Sequence, residues 1–131
     1  MIIGIISPYR DNTEGNLKYL KSYMRRLLLD GHVPMAGHAV FPQALDDGKA
    51  EERAIGMAAG QELLRMCSEV HMLCDLGISE GMLADAQCCM DEGIQVLLKS
   101  EFHTPAVILT SDALKTLQIL EMWKKAPEAA S

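Results

Sequence analysis

Several familiar signatures are missing from this chain of 131 residues. It has no GxxxxGK[ST] phosphate loop, no GxGxxG dinucleotide fingerprint and no HExxH zinc helix, so kinase-like, Rossmann dinucleotide and zinc-protease readings lose their main support. No apolar run approaches the ~18 residues of a membrane span. The six residues before Ser7 and Pro8 are too few for a signal-peptide core, so a cytoplasmic protein with no membrane partner is expected. Basic charge is scarce: 12 Lys and Arg against 18 Asp and Glu leave a formal net charge of −6. That excludes a general binder of nucleic-acid polymers. A small anionic ligand stays compatible, because N–H groups at a helix N-terminus hold phosphate without net positive charge. Cys67, Cys74, Cys88 and Cys89 match neither CxxC pairs nor a Cys/His zinc spacing, and the adjacent pair would make a strained bridge. They read as reduced, mostly buried thiols, and no metal or organic cofactor is expected.

What is present is a globular balance, 49% hydrophobic and 23% charged, in a length suited to one domain. MIIGII (1–6) is a continuous apolar run of the kind found in strands buried on both faces. SPYRDNTEG follows as a loop. From Thr13, with Thr13 and Asn16 as candidate caps, Leu17, Leu20, Tyr23 or Met24, Leu27 and Leu28 recur at helical spacing until Gly31. A short strand is expected at 33–36, then a loop carrying His38, and FPQALDDGK is too rich in Pro, Gly and Asp to stay regular for long. A helix over 50–67 contains Ala58, Ala59 and Gly60, small residues that imply a close packing contact. A strand over 69–74, a helix over 79–92 ended by Gly93 and a strand over 94–99 follow. Residues 104–110 read as a fifth strand, 111–125 as an amphipathic helix capped by Ser111 or Asp112, and 126–131 as a frayed tail. This alternation predicts a single α/β domain, a four- to five-stranded parallel sheet with helices on both faces. Ligands of such sheets bind beyond the carboxyl ends of the strands. The loops leaving those ends are SPYRDN, AGHAVFPQALDD and DLGISEG.

In DLGISEGMLAD, Asp75 ends a strand, Gly77 and Gly81 permit a tight path or close approach of a ligand, and Ser79 is placed to cap a helix whose N–H groups face an anion. Asp85 follows about one and a half turns in, facing cleft or solvent. The plainer alternative is a simple cap, with Glu80 at the positive helix end and Asp85 solvated. In SPYR, Ser7, Tyr9 and Arg10 are candidates for a sugar hydroxyl or phosphate, Arg being the bidentate phosphate reader, or else they form an exposed turn. His38 and Phe41 would frame a base, or be structural. Leu45–Asp47 before EER reads as a cap cluster or a lid. His32 reads as helix-end packing and His71 as core or edge. Met57, Met66, Met72, Met82 and Met90 read as soft core filler.

The ordered set ISPYRDNTEGN, GHVPMAGHAVFPQALDD, EERAIG, LLRMCSEVHML and ISEGMLADAQCCMDEGIQV resembles the nucleoside 2-deoxyribosyltransferase-like superfamily. The nearer likeness is to small bacterial and phage members with an SPYxG start, a P-x-x-PH-x-x-F middle and an S-x-GM-x-x-E end. The resemblance implies a flavodoxin-like or Rossmann-like core over 1–99, with 100–131 as a C-terminal strand and helix extension of the same domain. It implies cleavage of an N-glycosidic bond, or deoxyribosyl transfer, on a nucleoside or nucleoside 5′-monophosphate through a carboxylate. By position Asp85 matches the catalytic Glu, Gly81 and Met82 match the GM, Asp75 matches a sugar-binding or base-assisting Asp, Tyr9 matches the first-loop aromatic and Ser79 the turn near the sugar's 5′ side. Such chemistry needs a carboxylate beneath an oxocarbenium-like C1′ and an acid for the departing base. Two positions depart from the pattern: Asp85 is one methylene shorter than Glu, and Gly37 precedes His38. A pocket that keeps its shape without the chemistry would sense or sequester a nucleotide, which is the alternative function. A homodimer or higher homo-oligomer is also expected, both from the family and from the apolar Leu114, Leu117, Leu120 or Ile119, and Trp123 of the last helix.

Overall fold

In the computed structural model, which describes residues 1–100 and 107–125, the apolar N-terminal run forms β1 (Ile2–Ile6), with Ile3, Ile5 and Ile6 fully buried. β2 (Val33–Met35) flanks it on one side and β3 (Glu69–Leu73) on the other. β4 (Val96–Lys99) and β5 (Val107–Ile108) complete a sheet of order β2-β1-β3-β4-β5. The first three pairings are parallel, with Ile5 opposite His71 and Met72 opposite Leu98. β5 runs antiparallel to β4, Leu97 opposing Ile108, which corrects the expectation of an all-parallel sheet. The reason is chain length: only residues 100–106 separate β4 from β5, and a parallel crossover needs about a dozen or more. Residues 104–106 of the expected fifth strand, the 126–131 tail and the side chain of Trp123 lie outside the described residues.

The two faces of the sheet follow the period-2 alternation of its strands. Ile3, Ile5 and Leu73 point to α1 (Thr13–Leu29) and pack with its Tyr19, Leu20, Tyr23 and Leu27. Ile6, Val70, Met72 and Val96 point the other way. There they meet Leu64 of α3 (Ala50–Leu64), Met82, Leu83, Ala86 and Cys89 of α4 (Glu80–Asp91), and Leu114 of α5 (Ser111–Lys125). Gly4 lies under this second layer, so tightly that a Cβ there would stand 2.7 Å from Leu64 Cδ2 and 3.1 Å from Cys67 Sγ. His71 is buried and ties strand to helix: Tyr23 Oη lies 2.6 Å from its Nδ1 and Glu69 Oε1 2.7 Å from its Nε2. Asn12, not Thr13, caps α1, its Oδ1 accepting from the Gly15 N–H.

Residues 37–44 form a helix, α2 (Gly37–Ala44), where a loop carrying His38 was expected. Pro42 sits only two residues before its end and removes a single ladder bond, to the His38 carbonyl. Packing on α3 outweighs that loss. Gly37 approaches Gly60 so closely that a Cβ at residue 37 would lie 3.3 Å from the Gly60 Cα and 3.1 Å from Leu63 Cδ1. Gly60 thus belongs to the close contact that its neighbours' size implied. All four cysteines are free. Among the described residues no helix is long and apolar enough to cross a membrane.

Candidate active site

The strand order reverses direction of growth between β1 and β3, and a cavity of about 490 Å³ opens there, beyond the carboxyl ends of the strands. The β1–α1 loop contributes Ser7, Tyr9, Arg10 and Asp11, α2 contributes His38 and Pro42, and α3 contributes Arg53, Gly56, Met57 and Gly60. The start of α4 contributes Ser79, Glu80, Gly81, Met82 and Asp85, and α5 contributes Glu121. Sequence-distant loops meet here because parallel strands all end on the same side of the sheet.

Asp85 faces this cavity rather than bulk solvent. Its Oδ1 accepts a hydrogen bond from Gln61 Nε2 at 3.2 Å, and among the described residues no other side chain hydrogen-bonds to it or forms an ion pair with it. Burial raises its pKa to about 6, and the Gln61 amide pulls the other way by stabilising the ionised form. The result is a carboxylate charged at neutral pH yet more basic than an exposed one.

His38 stands on the first turn of α2. Its Nε2 lies 2.7 Å from the Oγ of buried Ser7, a hydrogen bond whose direction follows the imidazole tautomer. Desolvation lowers the His38 pKa to about 4, so the ring is neutral under physiological conditions. The first loop owes its shape to Asn16, which the sequence suggested only as a cap. Asn16 is buried, and its amide donates to the carbonyls of Tyr9 (3.0 Å) and Arg10 (3.1 Å). Asp11, next in the loop, sits at φ 71, in the left-handed region that Asp tolerates better than most residues. Arg10 is held by Asp47, Nε to Oδ2 3.2 Å.

Residues 77–81, Gly-Ile-Ser-Glu-Gly, also spell G-x-S-x-G on a strand-to-helix turn. Ser79 is nevertheless an ordinary N-cap, extended at φ −93 and ψ 166, with Oγ accepting from the Met82 N–H at 3.3 Å. It lacks the strain of a nucleophile elbow, and the histidine of the cavity is paired to Ser7 instead.

Three expected site residues do not line the cavity. Phe41 packs between α2 and α3, against Gly37 and Gly56. Gly77, at φ +94, makes the turn after β3 and lines a separate, mainly apolar groove with Cys74, Ile78, Leu83, Leu117, Leu120 and Glu121. The expected convergence of Asp75 with Asp85 is corrected. Asp75 Oδ2 accepts from Tyr19 Oη at 2.6 Å, Oδ1 accepts from Ser100 Oγ, and the Asp75 N–H donates to Tyr19 Oη at 3.2 Å. The cause is strand periodicity: Asp75 stands two residues after Leu73 and shares its face toward α1, whereas Asp85 rides on α4, which covers the opposite face. Gln61, Arg53 and Glu121 were not expected beside the site. The first two lie on the helical stripe 53, 56, 57, 60, 61, which carries too few apolar residues to be pure core. Among the described residues no group of three His, Cys, Asp or Glu stands where it would hold a metal ion.

The fold is shared with a solved 2-deoxyribosyltransferase from the psychrotolerant bacterium Bacillus psychrosaccharolyticus, with a TM-score of 0.62 at 15% identity, over 92% of this chain and 90% of that one. At that identity the likeness shows the fold alone. Among curated proteins none matches this chain. Residues 1–99 match the model of the family described as Domain of unknown function (DUF7768), and the chain belongs to that family.

Proposed function

We propose that this protein cleaves the N-glycosidic bond of a nucleoside or nucleoside 5′-monophosphate, by hydrolysis or by transfer of the deoxyribosyl group, with Asp85 as the catalytic carboxylate. The observation that carries this reading is a half-buried carboxylate of pKa about 6, oriented by Gln61, in a cavity at the strand ends. The shared fold with a 2-deoxyribosyltransferase agrees with it. The Gln61 bond occupies Oδ1 and leaves Oδ2 for C1′. As the bond to the base nitrogen breaks with its electron pair, Oδ2 attacks C1′ or stabilises the oxocarbenium-like centre. Water or a second base then takes the sugar, and Asp85 is restored. The departing nitrogen takes its proton from an acid lining the cavity or from water. Asp75 serves the site indirectly, fastening the turn after β3 to α1 through Tyr19.

One observation favours the second reading, a protein that binds a nucleotide without cleaving it. Asp85 is shorter than Glu by one methylene, and a misplacement of about 1 Å costs roughly 10²-fold in rate. A chromatographic assay for free base decides between them, with nucleosides and 5′-monophosphates as substrates, a second base present or absent, and Asp85→Ala beside the wild type. Base release that vanishes in the variant is expected. Intact nucleotide bound with no release from any substrate would establish the second reading.

A further inference from the structure

Seven charged side chains line the cavity, five of them acids (Asp11, Asp47, Glu80, Asp85 and Glu121) and two of them guanidiniums, Arg10 and Arg53. Arg10 is neutralised by Asp47. Arg53 makes no ion pair or side-chain hydrogen bond among the described residues, although it is only partly exposed to solvent. Its helical neighbours offer none: positions three and four away are Ala50, Lys49, Gly56 and Met57. It also stands in the first turns of α3, where the positive helix end disfavours a cation. Folding gains little from an arginine so placed.

On the same stripe of α3, Gln61 reaches Asp85 at the other end of the cavity. It stands eight positions after Arg53, about 12 Å along the axis. Between them Gly56 and Gly60 line the cavity; a Cβ at Gly56 would stand 3.2 Å from Leu45 Cδ1, whereas Gly60 has only the His38 nitrogen, at 3.8 Å, near the position of a Cβ. The corridor therefore carries a carboxylate at one end and an uncommitted guanidinium at the other.

We infer that Arg53 is a specificity-determining residue that grips an anionic oxygen group carried by the ligand, so that the cavity takes charged nucleosides in preference to neutral ones. This rests on the reading of the cavity as a nucleoside site. The group is a 5′-phosphate or a carboxylate on the base, and guanidinium geometry suits either.

The test is calorimetric titration of the full chain, wild type, Arg53→Ala and Arg53→Lys, with deoxyadenosine, deoxyadenosine 5′-monophosphate, uridine, uridine 5′-monophosphate and orotidine. The wild type is expected to bind at least one anionic probe about tenfold or more tighter than its neutral counterpart, with the advantage shrinking as salt is raised. Preference for the monophosphates locates the group at the 5′ end, and preference for orotidine over uridine locates it on the base. Arg53→Ala should abolish the preference while leaving affinity for the neutral nucleoside within about threefold, and Arg53→Lys should keep part of it. Unchanged melting temperatures show that the variants fold. A wild type without preference, or a preference that survives in Arg53→Ala, overturns the inference. Binding is read independently of turnover: preference without base release would sink only the catalytic proposal, and base release indifferent to Arg53 would sink only this one.

Discussion

Asp85 illustrates the tension between chemistry and stability in a single side chain. Its folded pKa of about 6 lies above the ordinary value of 3.8, so the folded state favours the protonated form and ionisation opposes folding. That penalty is absent below about pH 4, where both states are protonated, and complete above about pH 7. Its size is of order 1–3 kcal/mol after allowance for partial solvation. Asp85→Asn should therefore melt several degrees higher than the wild type at pH 8, with the two curves converging near pH 4. His38 acts with the opposite sign. Its folded pKa, about 4 against 6.5, makes a contribution that is present above pH 6.5 and lost as pH falls toward 4. His38→Gln, in the Asp85→Asn background, should flatten the acid-side decline of melting temperature. An unchanged slope in both variants would show that neither group is desolvated as the geometry requires. Neither shift is legible in the residue letters, because each depends on what α2, α3 and α4 place around the side chain.

Elements owe their positions to glycines at two contacts, and the two make contrasting predictions. At Gly4 a methyl would stand 2.7 Å from Leu64 Cδ2, 3.1 Å from Cys67 Sγ and 3.2 Å from Val70 Cγ2, so the buried Leu64 side chain must shift within a crowded core. Gly4→Ala should destabilise by about 1–3 kcal/mol in chemical denaturation. At Gly60 the added methyl meets only ordinary contact, and alanine in a helix is favoured by up to about 1 kcal/mol. Gly60→Ala should hold or raise the melting temperature while weakening ligand binding, because it narrows the wall between Arg53 and Gln61. Strands and long helices were readable from periodicity at this scale, whereas α2 was not. Its Gly37 and Pro42 argue against a helix locally, and only docking on Gly60 and Leu63 tips the balance toward one.

For the whole molecule, the acidic balance of −6 coexists with exposed apolar groups: Val107 and Ile108 on β5, and Ile119, Leu120 and Met122 on α5, are each more than half exposed. The homodimer expected from the sequence would bury such groups against a second copy. Light scattering should then give about twice the 14.4 kDa of one chain, and Ile119→Glu with Leu120→Glu should return the monomer mass. A wild type that runs as a monomer at micromolar concentration would refute the pairing.

By itself the sequence determined the parallel α/β core, the helix ends at Gly31 and Gly93, and the strand-end loops that hold the polar residues. Those depend on near-neighbour patterns: buried runs, period 3.6 and cap chemistry. Tertiary structure alone decided which polar residues meet. Strand alternation sent Asp75 to the α1 face and α4 carried Asp85 to the opposite one. The short β4–β5 connection reversed the last strand. The stripe of α3 set Gln61 against Asp85 and left Arg53 facing the cavity. Side-chain partnership across dozens of residues is a property of packed layers, and no local pattern encodes it.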